Sequence, residues 1–153
     1  MRLISNGNPI KTKDGKYRLV EDWQLEHDRI VPILIVPKGY KTDLASIPKW
    51  AKPLFGLWTL LSQRRITKGD GWKRGLYDKA AVAHDYIWDY GCLQTSYGKE
   101  FPFTREESDR LFYEICLAVG VYPKTAFLMY VAVRIYSIYS YYKNKLLTSY
   151  ITK

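Results

Sequence analysis

Leu76-Tyr-Asp-Lys-Ala-Ala-Val-Ala-His-Asp-Tyr-Ile-Trp-Asp-Tyr-Gly91 is the stretch on which the fold turns. Its apolar residues recur at helical spacing, and Gly91 supplies the left-handed residue that ends such a run, so a helix is predicted from Leu76 to Tyr90. At about 100° per residue, His84 shares a face with Ala80, Ala81, Ile87 and Trp88, which turns an ionisable ring toward the core. Asp85 points about 100° away, so it reaches a neighbouring element while His84 faces inward.

Two further helices follow toward the C-terminus. Thr104 with Glu107 three residues on is a capping box, with Pro102 just upstream. Leu111, Phe112, Ile115, Cys116 and Val119 form the apolar stripe of that helix, and Gly120 closes it. A third helix is predicted from about Lys124 to about Lys145, with Lys143 and Lys145 near its negative end.

On the N-terminal side the pattern changes to strands. Lys16–Leu25 mixes β-formers and polar residues in partial alternation, and Arg29–Val36 is a β-branched run. Pro32 inside that run calls for an edge position or a bulge. Asp14-Gly15 and Pro37-Lys-Gly-Tyr40 are turn signals on either side. The predicted class is therefore α+β: a small N-terminal antiparallel sheet packed beside a bundle of about three helices. A chain of 153 residues makes one domain, mainly strands over 1–48, with a basic insertion or loop over 49–75 and the helical part over 76–147.

Composition narrows the functional classes. Apolar residues at 47% support a packed core and exclude a disordered chain. Lys and Arg outnumber Asp and Glu by 24 to 15, a net charge of +9 that favours anionic partners. Two cysteines cannot build a four-thiolate metal site, and Cys116 falls in the apolar stripe as a small core residue. The N-terminus lacks the apolar core of a signal peptide, so export by that route is not expected. Ala126–Tyr142 is the longest apolar stretch, but Arg134, Ser137 and Ser140 interrupt it, and no membrane span is predicted.

Helix phase raises two further polar questions. Asp109 lies about 20° from Cys116 and about 60° from Phe112, at the edge of the apolar stripe, with Arg105 one turn before it. Arg134 interrupts the apolar run of the third helix. Charged residues at the edges of adjacent cores meet one another, and two outcomes are open. One is a satisfied network in which Asp109 and Asp85 pair with Arg134 or Arg105 and His84 donates to a carboxylate. The other is a site: a general acid–base group, or a divalent metal held by His84, Asp85 and Asp109. Asp43 either closes a turn or projects from the end of the sheet to join His84 and Asp109. Ser46 caps a short helix beginning near Pro48, and it lacks the Gly-x-Ser-x-Gly elbow of a hydrolase nucleophile. The order His27, His84-Asp85, Asp109 parallels a metal phosphohydrolase signature, but His27 falls in a strand where that signature needs a helix. The stretch from Gln63 to Gly75 carries Arg64, Arg65, Lys68, Lys73 and Arg74 and reads as an exposed anion-binding loop, with nucleic acid a candidate partner.

Tyr40-Lys-Thr-Asp-Leu-Ala-Ser-Ile-Pro48, Ala80-Ala-Val-Ala-His-Asp-Tyr86, Arg105-Glu-Glu-Ser-Asp-Arg-Leu-Phe112 and Ala132-Val-Arg134 together resemble a phage and prophage family, the one known as domain of unknown function 1353. The resemblance covers roughly residues 30 to 140. It implies Asp43, Ser46, His84, Asp85, Asp109 and Arg134 as the matching polar positions, a phage origin, and no particular reaction. The chain departs from the pattern in a longer basic insertion, about Trp50 to Leu76, and in Ser137, where members often have Gly. The leading expectation is a phage structural or assembly protein that binds other virion proteins and needs no cofactor. It would reside in the host cytoplasm during assembly or in the virion. The alternative is a small metal-dependent or acid–base hydrolase acting on cell-wall or nucleotide material, with a divalent ion in the metal-dependent version.

Overall fold

The computed structural model describes residues 1–44 and 77–151. Leu76, Ser46 with its capping role, and the basic loop Arg64, Arg65, Lys68, Lys73 and Arg74 lie outside the described residues.

The strands are β1 (Arg2–Asn6), β2 (Pro9–Lys11), β3 (Tyr17–Leu19), β4 (Trp23–His27), β5 (Ile30–Val36) and β6 (Lys41–Thr42). Helix α1 (Asp78–Tyr90) follows, then β7 (Cys92–Thr95), β8 (Glu100–Pro102), α2 (Arg105–Ala118) and α3 (Pro123–Ile151). The fold is α+β. Among the described residues, one sheet has five antiparallel strands in the order β1-β4-β5-β7-β8, and a second has three in the order β2-β3-β6.

Three differences from the sequence reading have physical causes. The run Lys16–Leu25 is not one strand: it breaks after Leu19, and β3 and β4 go to different sheets. The break is held by Gly7, whose carbonyl accepts from the amides of Val20 and Glu21 at 3.1 and 3.2 Å. A side chain at Gly7, where φ is +68°, would meet a Leu19 methyl at 2.9 Å. Strands are also not confined to residues 1–48. Hairpin β7–β8 lies between α1 and α2 and completes the five-stranded sheet, pairing Leu34 with Thr95 and Ile35 with Gln94. Finally, α3 does not end near Lys145 but continues to Ile151.

Other features stand as predicted. Gly91 caps α1 with φ 73°, and its amide donates to the Ile87 carbonyl at 2.7 Å. The Thr104–Glu107 box caps α2 in both directions. Pro32 sits in β5 where the pairing with β4 shifts between Leu25 and His27, the bulge that a proline in a strand requires.

The core lies between the five-stranded sheet and the helices. Trp23, Leu25, Leu34, Val36 and Leu93 come from strands, Ala80–Ala83 and Ile87 from α1, and Leu111, Phe112, Ile115 and Cys116 from α2. The alanine run lets α1 approach both β7 and α2 closely, and α2 in turn packs against α3. Burying side chains the size of Phe112 or Ile115 stabilises the fold by roughly 1.5–3 kcal/mol each. The helices thus stand in a row with α2 in the middle, and that order places the polar residues.

Candidate active site

A line of charged groups crosses the row of helices. Asp109, wholly buried on α2, holds His84 Nε2 of α1 at 2.9 Å through Oδ1. Its Oδ2 accepts from Arg134 Nη1 of α3 at 3.2 Å. Arg134 Nη2 continues the line to exposed Glu106 at 2.9 Å. The carboxylate that helix phase placed at a core edge therefore has both oxygens engaged, one by each neighbouring helix. Arg105 goes elsewhere: its guanidinium lies over the Trp88 ring, 4.6 Å from the centroid, a cation–π contact that leaves Asp109 to Arg134.

The other side of His84 faces a cleft. A cavity of about 310 Å³ is lined by His84, Asp85, Trp88 and Asp89 of α1, by Lys16 near β3, by Tyr40–Asp43 at β6, and by Tyr136 of α3. His84 is only 4% exposed, and its Nδ1 has no hydrogen-bond partner among the described residues. Asp85 Oδ1 stands 4.0 Å from that nitrogen, too far for a direct hydrogen bond. Phe112 meets the imidazole edge-on at 5.6 Å, and Trp88 lies beside it at the same distance.

The strand end that meets α1 is tightly organised. The Thr42 hydroxyl donates to Asp85 Oδ2 and accepts from the Leu44 amide at 2.9 Å. Leu44 is buried with φ +54°, a left-handed conformation that a branched side chain takes only under constraint. Tyr40 donates its hydroxyl to Asp89 Oδ2 at 2.8 Å. Burial, aided by Asp89 and Asp85, pushes that phenol's pKa far up and keeps it neutral.

Electrostatics favour a titrating imidazole. Burial, the largest single influence, pushes the His84 pKa down, but the hydrogen bond with Asp109 and the negative charges of Asp85 and Asp109 together outweigh it. The net result lies above the ordinary histidine value of 6.5. Neither thiol competes as a nucleophile: burial pushes both Cys92 and Cys116 up.

His84, Asp85, Asp109 and Arg134 are thus brought together, and Asp43 joins His84 and Asp85 on the cleft wall. Asp109 lies behind His84, so Asp43 and Asp109 do not face one another across the cleft. Asp85 and Asp109 attend different ring nitrogens, and among the described residues no three His, Cys, Asp or Glu side chains form a metal-ligand cluster. His27 belongs elsewhere, bonded through Nε2 to Glu114 at 3.0 Å.

Sequence reasoning missed the contributions of Tyr40, Thr42, Asp89 and Glu106. The first two were inside the quoted segment, and Asp89 sits four residues after Asp85 on the same helix face, a signal that was readable. Nothing in the sequence marks Glu106 as the far partner of Arg134.

A family model described as Protein of unknown function (DUF1353) matches residues 17–67 and 72–133. The match includes Thr42, Asp43, His84, Asp85 and Asp109 and stops one residue short of Arg134. No curated protein and no solved structure matches the chain.

Proposed function

The chain belongs to the DUF1353 family, and from that premise we propose that it is a hydrolase in which His84 is the general acid–base group. One observation carries this reading: His84 lines a cleft and is fixed through Nε2 by buried Asp109, while its Nδ1 makes no hydrogen bond among the described residues and has the Asp85 carboxylate 4.0 Å away. A structural histidine satisfies both nitrogens; a catalytic one keeps one nitrogen for the substrate.

The roles follow from position. Neutral His84 takes a proton at Nδ1 from a water attacking the scissile centre, and the imidazolium returns it to the leaving group. Asp109 orients the ring and stabilises its charged form, and Arg134 holds Asp109 in place. Asp85, steadied by Thr42, stands where a polarised water bridges to Nδ1. A divalent ion shared by His84, Asp85 and Asp109 fits this arrangement poorly, because Asp109 is already committed to His84 and Arg134.

The test is turnover by the purified chain on ester, cell-wall and nucleotide substrates, beside His84→Gln. Loss of turnover in a variant that stays folded supports the proposal. Equal turnover in both proteins sinks it.

A second reading, a phage structural or assembly protein, has in its favour the resemblance to phage proteins and the exposed aromatic side chains of α3. Under it, His84→Gln leaves virion incorporation and partner capture unaffected, and no substrate turns over.

A further inference from the structure

Helix α3 has an outer face that its surroundings do not explain. Phe127, Leu128, Ile135, Ile138, Tyr139 and Tyr142 are 53, 44, 52, 45, 60 and 59% exposed. At about 100° per residue they fall within an arc of about 120°, opposite the buried residues Ala126, Met129 and Val133. A surface helix ordinarily presents charged residues there. Here the 29 residues of α3 contain no Asp or Glu at all, and Lys124 precedes the stripe while Lys143 and Lys145 follow it. Among the described residues no helix is long and apolar enough to cross a membrane.

The same helix borders two cavities. Tyr136 lines the His84 cleft and stacks on Trp88, with ring centroids 6.4 Å apart. On the other side of the Arg105–Trp88 contact, a cavity of about 480 Å³ is walled by Arg105 and Glu106 of α2 together with Arg134, Ser137, Ile138, Tyr141 and Tyr142 of α3. Arg134 is paired there with Glu106 and Asp109, and Ile138 with the two tyrosines gives the cavity an apolar side.

We infer that α3 lies on an anionic lipid surface and that the His84 cleft hydrolyses a carboxylic ester of an anionic membrane lipid. The membrane surface, rather than a protein, is favoured by charge: a cationic helix with an apolar, tyrosine-rich face, in a chain of net charge +9, complements anionic headgroups over an apolar interior. The substrate class rests on the acid–base reading of His84. In the step, a water oxygen bonds to the ester carbonyl carbon as its proton passes to Nδ1. The bond from that carbon to the lipid alkoxide then breaks, and the alkoxide takes the proton, leaving a fatty acid and an alcohol.

The experiment uses the full chain with vesicles of phosphatidylglycerol and phosphatidylcholine, read by co-flotation and by fatty-acid release. The chain is expected to float with mixed vesicles at least tenfold more than with phosphatidylcholine alone. The triple variant F127S/I135S/Y139S, changed only at exposed positions, should lose that binding with its melting temperature retained. His84→Gln should float like the wild type and release no fatty acid. Absence of flotation by the wild type, or equal flotation by the triple variant, overturns the surface. A wild type that self-associates in solution, and loses that state in the triple variant while floating no better than a soluble control, assigns the face to a second copy and also overturns it. Flotation without fatty-acid release leaves the surface standing and removes the lipid ester as substrate. Turnover of another substrate without flotation does the reverse, keeping the acid–base reading and removing the surface.

Discussion

The protein holds two histidines, and α2 holds a carboxylate for each. His27 bonds Glu114 at 3.0 Å and His84 bonds Asp109 at 2.9 Å, so by distance the pairs are alike. They differ in what surrounds the bond. The side chains of His27 and Glu114 are 11% and 29% exposed, and His27 Nδ1 accepts from the Arg29 amide at 3.1 Å, which satisfies the ring. Those of His84 and Asp109 are 5% and 0% exposed, and the second nitrogen of His84 makes no hydrogen bond among the described residues, with Asp85 4.0 Å away. A histidine–carboxylate bond is therefore not what marks a site. What sets His84 apart is a ring nitrogen without a hydrogen bond, in a residue that lines a cleft and is backed by a carboxylate that water does not reach.

The largest contrast should come from removing the two carboxylates. Asp109→Ala leaves a buried imidazole and Arg134 without their shared anion, at a cost of about 3–5 kcal/mol. Glu114→Ala, at a partly exposed pair, should cost no more than about 1 kcal/mol. Urea denaturation of both variants measures the difference, and equal losses would break the distinction drawn between the pairs.

Turnover separates them next. His84→Gln should lose roughly 10²–10⁴-fold in rate, the usual contribution of a general acid–base group. His27→Gln should stay within a few-fold of the wild type. A comparable loss in both would place the chemistry elsewhere.

The pH dependence of stability sharpens the same contrast. Because the folded-state pKa of His84 is raised above 6.5, its contribution is fully present below about pH 6.5 and is lost as pH rises through the folded value. Melting temperature should therefore fall over that interval in the wild type, and His84→Gln should remove this component of the slope. A variant that keeps the full slope would show that another group titrates.

A more local effect belongs to the strand end facing Asp85. Thr42→Val removes the hydroxyl that links Asp85 to the Leu44 amide, and should cost about 1–3 kcal/mol if that amide stays dry and unpaired. Thr42→Ser should restore most of it. If serine fails to rescue, the methyl group rather than the hydroxyl holds this corner.

Much of this arrangement was readable in advance where period and chemistry agree. His84 and Asp109 were placed inward by phase alone, and the Thr104–Glu107 cap and Gly91 stop depend on local chemistry that a sequence displays. What was not readable depended on competition between partners. Arg105 stands one turn from Asp109, yet takes the Trp88 ring while Arg134 takes the carboxylate, a choice set by how α2 and α3 pack. Lys16–Leu25 reads as one strand because its break depends on a contact from Gly7. Hairpin β7–β8 consists of strands too short for alternation to show, and the partner that orders it, β5, is nearly sixty residues earlier in the chain.

That late hairpin has a consequence for how the chain folds as it is synthesised. Strand β5 is complete at Val36, but the strand that covers its open edge begins only at Cys92, beyond the whole of α1. Until that point emerges, β5 presents a β-branched, uncharged edge able to pair with any extended segment nearby. A nascent or truncated chain ending at Gly91 is therefore a sticky half-sheet rather than a smaller stable domain. Asp109 follows this hairpin in the chain, so the His84–Asp109 bond can form only after the strand that covers β5 has been made.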